Sequence, residues 1–505
     1  MTVESRKPKD KSLIYTLQQR VAGLFALSTL VCGLLSLSAA VCLLSSCRQE
    51  QVSYDPSLRL TLSTDSLDFG LVFTGYGTST RRVVLRNTNA NALTIDRVTM
   101  RDGRFFHVSV DGEADASRWQ ALTIRGGDSA FIFVRAYIDP LEQNAPLMVD
   151  DELLFSYNGN TTALRLYAIG QDVTLLEKWE YLADRHFTAD KPYLVQDTLL
   201  FRKDLIIDAG ATFYMMNNAA IIALGDVLSD GTLDVPVVFR GARTDNLFDS
   251  VPYAFASGQW QGIYLLQDAQ KAPNTYTFRY TDILSGNVGL FSQAEAAAAL
   301  PTLEMDGCRI HNMAVYGVVC LNTDATITNS EISCCASYGV YLQGGTHTLV
   351  HNTIAAYFGY PYTNLNIHST GRDDVAAVYI NNLSKSSAPM QSYLYNNIIT
   401  GARSRCLVLA APLPDAYRGV FRGNYLRADT FRLPQFEQNV YAGDDDTVFV
   451  NNHYLYKEYR YYDFHLDSLS PAIGIADEDV AATYPLDRDA YTRTPSPDAG
   501  CYQHR

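Results

Sequence analysis

Carboxylates are the first residues of this chain whose types and spacing could perform chemistry. Two motifs carry them, Asn322-Thr323-Asp324 and Asp373-Asp374. Two acids held near one another can act as general acid and general base in the cleavage of a glycosidic bond. Asp324 and Asp373 are 49 residues apart, so they meet only if the elements that carry them bring positions at this interval together.

Other chemistry-bearing groups form weaker patterns. The densest carboxylate run, Asp444 to Asp446, alternates faces in an extended chain and does not converge on a calcium ion. His347 and His351 stand four apart, an interval that brings two ligands together on a helix but not on a strand. The chain has no Gly-x-Ser-x-Gly motif and no Cys-x-x-Cys pair. We therefore predict no catalytic, cofactor-binding or metal-binding residue, and calcium stays an alternative without further support.

Tyrosine is the most conspicuous functional residue type, with 33 copies. One cluster, AAYFGYPYTN, contains Tyr357, Tyr360 and Tyr362, and a second occupies residues 454–462. Aromatic faces stack on sugar rings, and the tyrosine hydroxyl adds a hydrogen bond. We predict that Tyr357, Tyr360 and Tyr362 contact a ligand such as a glycan, with plain packing along the flank of a long molecule as the alternative.

The N-terminus indicates export. Residues 1–20 carry five basic side chains, and an uncharged apolar run over residues 21–44 follows, an order typical of a secretory signal. The run ends in the letters LSSC, which resemble the bacterial lipobox, whose cysteine becomes the lipidated N-terminus. We predict a signal peptide over residues 1–46, lipid attachment at Cys47 and a membrane partner. A spanning helix is the alternative, since the apolar run is long enough to cross a bilayer.

Localisation follows from the same segment. Arginine, not aspartate, comes directly after Cys47, which favours the outer membrane by analogy with other lipoproteins. Whether the protein faces the periplasm or the outside stays open. The chain carries a net charge of −14, and removal of residues 1–46, whose own net charge is +3, makes the mature chain more negative. Such an acidic protein repels phosphate backbones, so we expect no nucleic-acid partner.

The mature chain retains six cysteines besides Cys47, and their irregular spacing indicates small buried residues. An exported protein can form disulfides, but the sequence does not choose a pairing.

Residues 58–172 alternate apolar and polar letters in seven or eight short runs separated by Gly, Asn and Asp. This pattern predicts an antiparallel β-sandwich, preceded by a tether over residues 47–57. The letters LDFG at Leu67, the following Gly75 and the strand that ends at Asn87 resemble immunoglobulin-like domains that serve as spacers or docking modules.

A repeat dominates the rest of the chain. Its apolar marker recurs at intervals of 27, 22, 22, 45 and 27 residues. The marker residues are Ile283, Ile310, Ile332, Ile354, Ile399 and Leu426. Repeats of this length with two or three short strands predict a right-handed parallel β-helix, in which the markers stack in the interior. We interpret the interval of 45 as two coils, with the letters AAVYINN as a strand of the degenerate one.

A polar residue stands two positions before most of these markers. The residues are Ser330, Asn352, Asn397 and Asn424. Stacked from coil to coil, they are predicted to form a hydrogen-bonded ladder in a turn.

An interval of 49 residues corresponds to about two coils, so Asp324 and Asp373 do not fall on neighbouring coils. We therefore interpret Asp373-Asp374 as part of a surface loop.

The letters GTLDVPVVFRGARTDNLFDSVPY, GQWQGIYL and the ending SPAIG…PDAGCY resemble right-handed parallel β-helix lipoproteins of Gram-negative gut and oral bacteria. These belong to the wider pectate-lyase-like superfamily, and the resemblance covers residues 195 to 505. It implies an all-β chain with a connector over residues 173–200, a β-helix over residues 201–505 and a C-terminal cap on the last coil. The Gly-His-Gly and Arg-x-Lys motifs of the polygalacturonase-like members are absent.

Two functions remain open at this point. The first is a non-catalytic binding or structural role, with a glycan or an envelope protein as partner. The alternative is a polysaccharide lyase or glycoside hydrolase that acts on the β-helix face, which requires at least two acids and a base in one groove.

Overall fold

A computed structural model describes residues 51–114, 119–248, 251–296, 299–358, 375–381, 389–410, 417–431, 433–443, 447–452 and 462–505. Cys47, Asp373-Asp374 and Asp444 to Asp446 lie outside these ranges. Within them the elements are β-strands, apart from a 3-10 turn at Tyr253–Phe255 and an α-helix at Glu478–Thr483. None of the helices described has the length and hydropathy needed to cross a bilayer.

The N-terminal domain consists of two sheets that share one hydrophobic core. Its strands are β1 (Thr61–Leu62), β2 (Ser66–Phe73), β3 (Arg81–Arg86), β4 (Leu93–Met100), β5 (Phe106–Val110), β6 (Gln120–Ile124), β7 (Ser129–Ala136), β8 (Leu147–Tyr157) and β9 (Asn160–Gln171). One sheet has the order β1-β3-β7-β5 and the other β2-β9-β8-β4-β6. All pairs are antiparallel except β2 with β9. Alternate residues of both sheets are buried between them, as the alternating sequence predicts; the immunoglobulin-like assignment stays a prediction.

The rest of the chain winds through three parallel sheets, here called sheets 1, 2 and 3. Sheet 1 contains Thr174–Leu176, Tyr193–Val195, Thr212–Met215, Val237–Gly241, Thr281–Leu284, Arg309–His311, Glu331–Ser333, Thr353–Ala356, Ile398–Gly401, Tyr425–Leu426 and Val440–Tyr441. Sheet 2 contains Glu180–Tyr181, Leu199–Phe201, Ala220–Ala223, Gly262–Leu266, Val288–Gln293, Tyr316–Leu321, Tyr338–Gln343, Ala376–Ile380 and Leu407–Leu409. Sheet 3 contains Arg185–Phe187, Leu205–Asp208, Val227–Asp230, Thr275–Arg279, Thr302–Asp306, Asp324–Thr328, Gly345–Val350, Met390–Tyr395, Tyr417–Arg422 and Phe436–Glu437.

Two small hairpins lie outside the three sheets. They are Asn246–Phe248 with Val251–Pro252, and Phe449–Asn451 with Asp463–Leu466.

The predicted interior stack is confirmed. Ile310 pairs in register with Ile283 on one side and Ile332 on the other, and the row continues through Ile354. Each of these side chains is at most 1% exposed. The coil therefore buries one aliphatic side chain per turn in a continuous column, which is how short strands acquire a core that none of them could form alone.

The interpretation of the 45-residue interval as two coils is wrong. Ile354 pairs directly with Ile399, so no coil lies between them. The predicted strand is present as Ala376–Ile380, but it belongs to sheet 2 of the same coil. Residues 359–374 and 382–388 lie between the strands of this coil, and inserted residues lengthen a repeat without adding a turn.

The predicted polar ladder is also confirmed. Asn397 accepts hydrogen bonds from the backbone and side-chain amides of Asn352, at 2.9 and 3.0 Å, and makes the same pair of bonds as a donor to Asn424. Ser330 donates its backbone amide to Asn352, and Asn439 accepts from Asn424 at the other end. Each amide thus satisfies a buried backbone group of the neighbouring coil.

The glycine at the beginning of four successive sheet 2 strands, from Gly262 to Gly339, is needed for close packing. A Cβ atom on Gly317 would lie 2.4 Å from the carbonyl oxygen of Gly339 and 2.7 Å from Cγ2 of Ile332. The corresponding atom on Gly289 would lie 2.5 Å from the carbonyl oxygen of Gly317. The glycine repeat therefore lets sheet 2 approach the isoleucine column of sheet 1.

We expect Gly317→Ala to lower the free energy of unfolding by about 2–3 kcal/mol, because the rigid backbone carbonyl cannot yield to the new methyl group. Urea denaturation measures the effect. Gly77→Ala is the control, since its Cβ would meet no atom closer than 3.9 Å. Equal stability of the two variants would contradict the packing role.

The coil begins earlier than the sequence predicts. Residues 173–200, predicted as a connector, contain strands that pair with all three sheets, beginning at Thr174. The ring of Tyr181 in this first coil lies beneath the guanidinium of Arg185 at 4.5 Å and near the ammonium of Lys178 at 5.8 Å. Charged side chains thus lie at the first coil, where the unpaired strand edges could otherwise pair with a strand of another chain.

The C-terminal segment, predicted to cap the last coil, lies along the outer face of sheet 1 instead. Tyr502 donates a hydrogen bond to Glu331, the amide of Cys501 donates to Thr353, and Arg488 pairs with Asp282. These contacts run across successive coils. The segment is held there by contacts with both the polar and the apolar side chains on the outer face of sheet 1.

Candidate functional site

Sheet 2 carries a row of aromatic side chains on its outer face. Strand residues alternate between two sides, and the inward residues of sheet 2 from Ile263 to Val378 are buried in the core. The outward position beside them is occupied in register by Tyr264, Phe291, Val319, Tyr341 and Tyr379 in five successive coils. Val319 in the middle coil is aliphatic and only 3% exposed, so aromatic residues occupy four of the five positions.

Two further tyrosines at the beginning of the strands, Tyr316 and Tyr338, pair with one another in neighbouring coils. We call the whole set the aromatic face. Its members are Tyr264, Phe291, Tyr316, Tyr338, Tyr341 and Tyr379.

The aromatic face contains two near-parallel pairs of rings, whereas the rings of Tyr264 and Phe291 are tilted by 43° to one another. Tyr341 and Tyr379 have centroids 5.5 Å apart and planes within 11° of parallel. Tyr316 and Tyr338 are 5.7 Å apart and within 2° of parallel. Tyr338 joins the two pairs, since its ring is 4.7 Å from Tyr379. Apart from Tyr338, the rings are partly exposed, so their surfaces can stack on a flat apolar ligand face.

Amide side chains border these rings. Asn381 donates from Nδ2 to the hydroxyl of Tyr341 at 2.7 Å and to Oε1 of Gln343 at 3.2 Å, and the Tyr341 hydroxyl donates to the same Oε1 at 3.0 Å. Gln293 lies in the same row two coils away. The polar groups at this border are uncharged donors and acceptors, which suit sugar hydroxyls better than ionised groups.

The predicted ligand-contact residues are only partly described. Tyr357 packs against the C-terminal hairpin, with its ring 6.2 Å from Phe449 and 6.3 Å from Phe464. Burial raises the pKa of Tyr357. Tyr360 and Tyr362 lie outside the described residues, as do Tyr454 and Tyr456 of the second cluster.

The predicted carboxylate motif is part of the scaffold where it is described. Asp324 begins a strand of sheet 3 and accepts a hydrogen bond from the amide of Thr346 in the next coil at 2.7 Å.

The aromatic face was missed because its members are far apart in sequence. An available signal was the aromatic residue two positions after several repeat glycines, as in GIY, GLF and GVY.

A second chemistry-bearing cluster lies beneath the C-terminal segment. Ser333 donates its hydroxyl proton to Glu331 at 2.7 Å, so the neighbouring Nδ1 of His311, also at 2.7 Å, must be the donor to Ser333. Burial alone would raise the pKa of Glu331, but the nearby charges of Arg309, His311 and Arg488 and the hydrogen bond from Ser333 together lower it. A serine whose proton points to a carboxylate, with histidine as donor, is not an activated nucleophile. The cluster holds the C-terminal segment in place.

A groove of about 430 Å³ on the outer face of sheet 3 also contains acids and a base. Asp306 accepts a hydrogen bond from Thr328 at 2.7 Å, and Arg279 pairs with Asp230 at 2.9 Å. Asp306 and Arg279 are therefore already bonded to other residues of the coil. This groove, which Glu304 also lines, is a weaker candidate than the aromatic face.

Buried histidines make the coil sensitive to acid. Burial lowers the pKa of His347 and of His311 to about 4. In the unfolded chain both take up protons as the pH falls below about 6.5. The unfolded state thus binds more protons between pH 6.5 and 4, so stability is full above this window and is lost as the pH falls through it.

We expect the loss to reach about 3 kcal/mol for each histidine, since one unit of pKa shift corresponds to about 1.4 kcal/mol. Urea denaturation at pH 7.5 and pH 4.5 measures it. His347→Leu should reduce the difference between the two pH values, whereas His107→Gln at an exposed position should leave it unchanged. An identical pH dependence in both variants would contradict the assignment.

Comparison with known proteins supports the architecture. A family model described as a right-handed β-helix region matches residues 261–411. Together with the three parallel sheets, this match makes the chain an all-β protein that contains a right-handed parallel β-helix. The search of curated proteins finds no match.

Three solved structures show partial likeness. They are VesB protease of Vibrio cholerae (22% identity, TM-score 0.17, 22% of this chain and 31% of that chain), a family 123 glycoside hydrolase of Clostridium perfringens (8%, 0.17, 23% and 30%) and the ASH/PapD-like domain 7 of human CEP192 (12%, 0.15, 23% and 87%). The chain spans less than a third of the first two proteins. TM-scores this low say nothing about function.

Proposed function

We propose that this chain is a non-catalytic glycan-binding protein of the cell envelope, anchored by lipid at Cys47. The observation that carries the proposal is the aromatic face of sheet 2 with its amide border. Partly exposed, near-parallel tyrosine rings offer stacking surfaces, and the amides of Gln343 and Asn381 offer hydrogen bonds at their edge.

The ligand that fits this surface best is a neutral, elongated glycan that lies along the solenoid axis. Neighbouring coils are about 4.8 Å apart, comparable with one sugar unit, and the row from Tyr264 to Tyr379 crosses five coils. The net negative charge of the chain disfavours an acidic polysaccharide.

The N-terminal domain fits the role of a spacer. The tether contacts the turn between β8 and β9, where Asn158 donates to the carbonyl of Ser53 at 3.0 Å. The first coil starts at Thr174, beyond the opposite end of β9. Twelve residues of β9 span about 40 Å, and this distance would separate an anchor at Cys47 from the solenoid.

A glycan array of the intact protein tests the proposal, followed by calorimetry with the best neutral oligosaccharide. Reducing-end and unsaturated-product assays run in parallel on the same glycans. We expect saturable binding without product formation. Product formation would favour the lyase or hydrolase alternative, and an array without any neutral-glycan signal would refute the proposal.

A further inference from the structure

The two domains enclose a cavity that plays no part in the proposed glycan surface. It measures about 550 Å³, within the range of small-molecule sites, which often lie at domain interfaces. The end of β2 forms one wall, and the turns of the coil around Met215 and Arg243 form the other. Thr244 fixes this junction by donating its hydroxyl to the carbonyl of Leu71 at 2.6 Å.

The inner walls of the cavity are apolar. Phe69, Val72 and Phe73 come from the N-terminal domain, and Met215 and Met216 come from the coil. Methionine side chains adapt to the shape of a ligand at low cost. These walls therefore favour an aromatic ring or a short apolar group.

The charged groups at the cavity are already paired. Arg243 donates to both carboxylate oxygens of Asp245, at 2.9 and 2.5 Å, and its guanidinium lies 3.9 Å above the ring of Tyr253. Hydrogen bonding to Asp245 raises the pKa of Arg243. Burial opposes ionisation of Asp245, but the hydrogen bonds and the charge of Arg243, with the hydrogen bond from Ser79, together lower the pKa of Asp245. A charged ligand would have to break this pair, so the site suits an uncharged one.

One residue that lines the cavity, Gln259, has a buried acceptor atom. Gln259 lines both this cavity and an adjoining recess of about 170 Å³. Its Nε2 donates to the carbonyls of Tyr253 and Ala256, which orients the amide. Oε1 of Gln259 then lies close to Gly241, since a Cβ atom added to this glycine would be 1.9 Å from the oxygen. Among the described residues, this buried oxygen has no hydrogen-bond partner.

An unsatisfied buried acceptor lowers stability, and a hydrogen bond from a ligand donor would offset this loss. We propose that the interdomain cavity is a second binding site, for an uncharged small molecule that combines an apolar ring with hydroxyl or amide donors. The apolar part occupies the walls of β2 and Met215, and a donor bonds to the side chain of Gln259 where this residue lines the cavity.

Calorimetry with phenyl β-D-glucopyranoside and the intact protein tests this proposal, with methyl β-D-glucopyranoside as the analogue that lacks the ring. Ala256→Trp and Ser257→Trp each fill the cavity from the coil side. Ala428→Trp, also partly buried but remote from the cavity lining, is the matched control. Thermal unfolding of each variant verifies its folding.

We expect saturable binding of the phenyl glucoside that weakens at least tenfold in both cavity variants. It should be unchanged in Ala428→Trp and in the double variant Tyr341→Ala/Tyr379→Ala. The methyl glucoside should bind at least tenfold more weakly. The proposal is overturned if the phenyl glucoside does not bind, if both filled cavities still bind it normally, or if only the aromatic-face variant loses it. The last outcome would leave glycan binding at the aromatic face intact, so the two proposals fail separately.

Discussion

Replacing both Tyr341 and Tyr379 with alanine is expected to weaken the binding of a neutral oligosaccharide by roughly 5- to 150-fold. The two rings are near-parallel neighbours in the centre of the amide border. Each stacked aromatic ring contributes about 0.5–1.5 kcal/mol beyond the area it buries, and about 1.4 kcal/mol corresponds to a factor of ten in affinity. Calorimetry on the wild type and the double variant measures the change.

The matched control for this prediction is Tyr393→Ala on sheet 3. Tyr393 is also a partly exposed tyrosine of a coil strand, and its hydroxyl donates to Gln391 two residues away, as that of Tyr341 does to Gln343. The control should bind glycan normally. Equal losses in the two variants would mean that the effect is general destabilisation, and no loss in either would remove the aromatic face from the account.

Asn397→Ala is expected to lower the free energy of unfolding of the coil by about 4 kcal/mol. The amide of Asn397 accepts two hydrogen bonds from Asn352 and donates to Asn424 and to the carbonyl of Leu349. Each bond contributes about 1 kcal/mol net, and its loss leaves buried groups of Asn352 without a partner. Chemical denaturation followed by circular dichroism measures the effect.

Asn439→Ala provides the comparison at the end of the same ladder. Asn439 makes equivalent bonds to Asn424 and Phe421 but is partly exposed, so water can replace them. We expect this variant to lose no more than about half as much stability. A loss at Asn439 equal to that at Asn397 would contradict the view that burial makes the ladder important.

The coil was predictable because its core repeats in the sequence. The interval of 22 residues between Ile310, Ile332 and Ile354 is the length of one turn, and the residues indeed stack in register. Asn352 and Asn397 follow the same logic, since a turn that recurs in each coil places the same side chain in the same position.

Other features depend on contacts that carry no period. The interval between Ile354 and Ile399 was misread because an inserted segment is indistinguishable from an extra turn when only its length is known. The path of the C-terminal segment depends on pairs such as Tyr502 with Glu331, 171 residues apart. Nothing in the local sequence of either residue predicts such a partner.

The aromatic face shows a third limit. Clusters adjacent in sequence, such as that at Tyr357, attracted the prediction, whereas Tyr341 and Tyr379 are brought together only by the register of neighbouring coils. A β-helix gathers functional side chains along its axis, one per turn. Candidate residues are therefore found by comparing equivalent positions of successive repeats.

Hydroxyl-radical footprinting of the intact protein, with and without a neutral oligosaccharide identified on the array, tests the central claim most directly. Bound glycan should lower the oxidation rates of Tyr264, Phe291, Tyr341 and Tyr379 together, and leave Tyr393 on sheet 3 unchanged. Protection of sheet 3 residues instead, or unchanged oxidation of the sheet 2 rings at saturating glycan, would contradict the account.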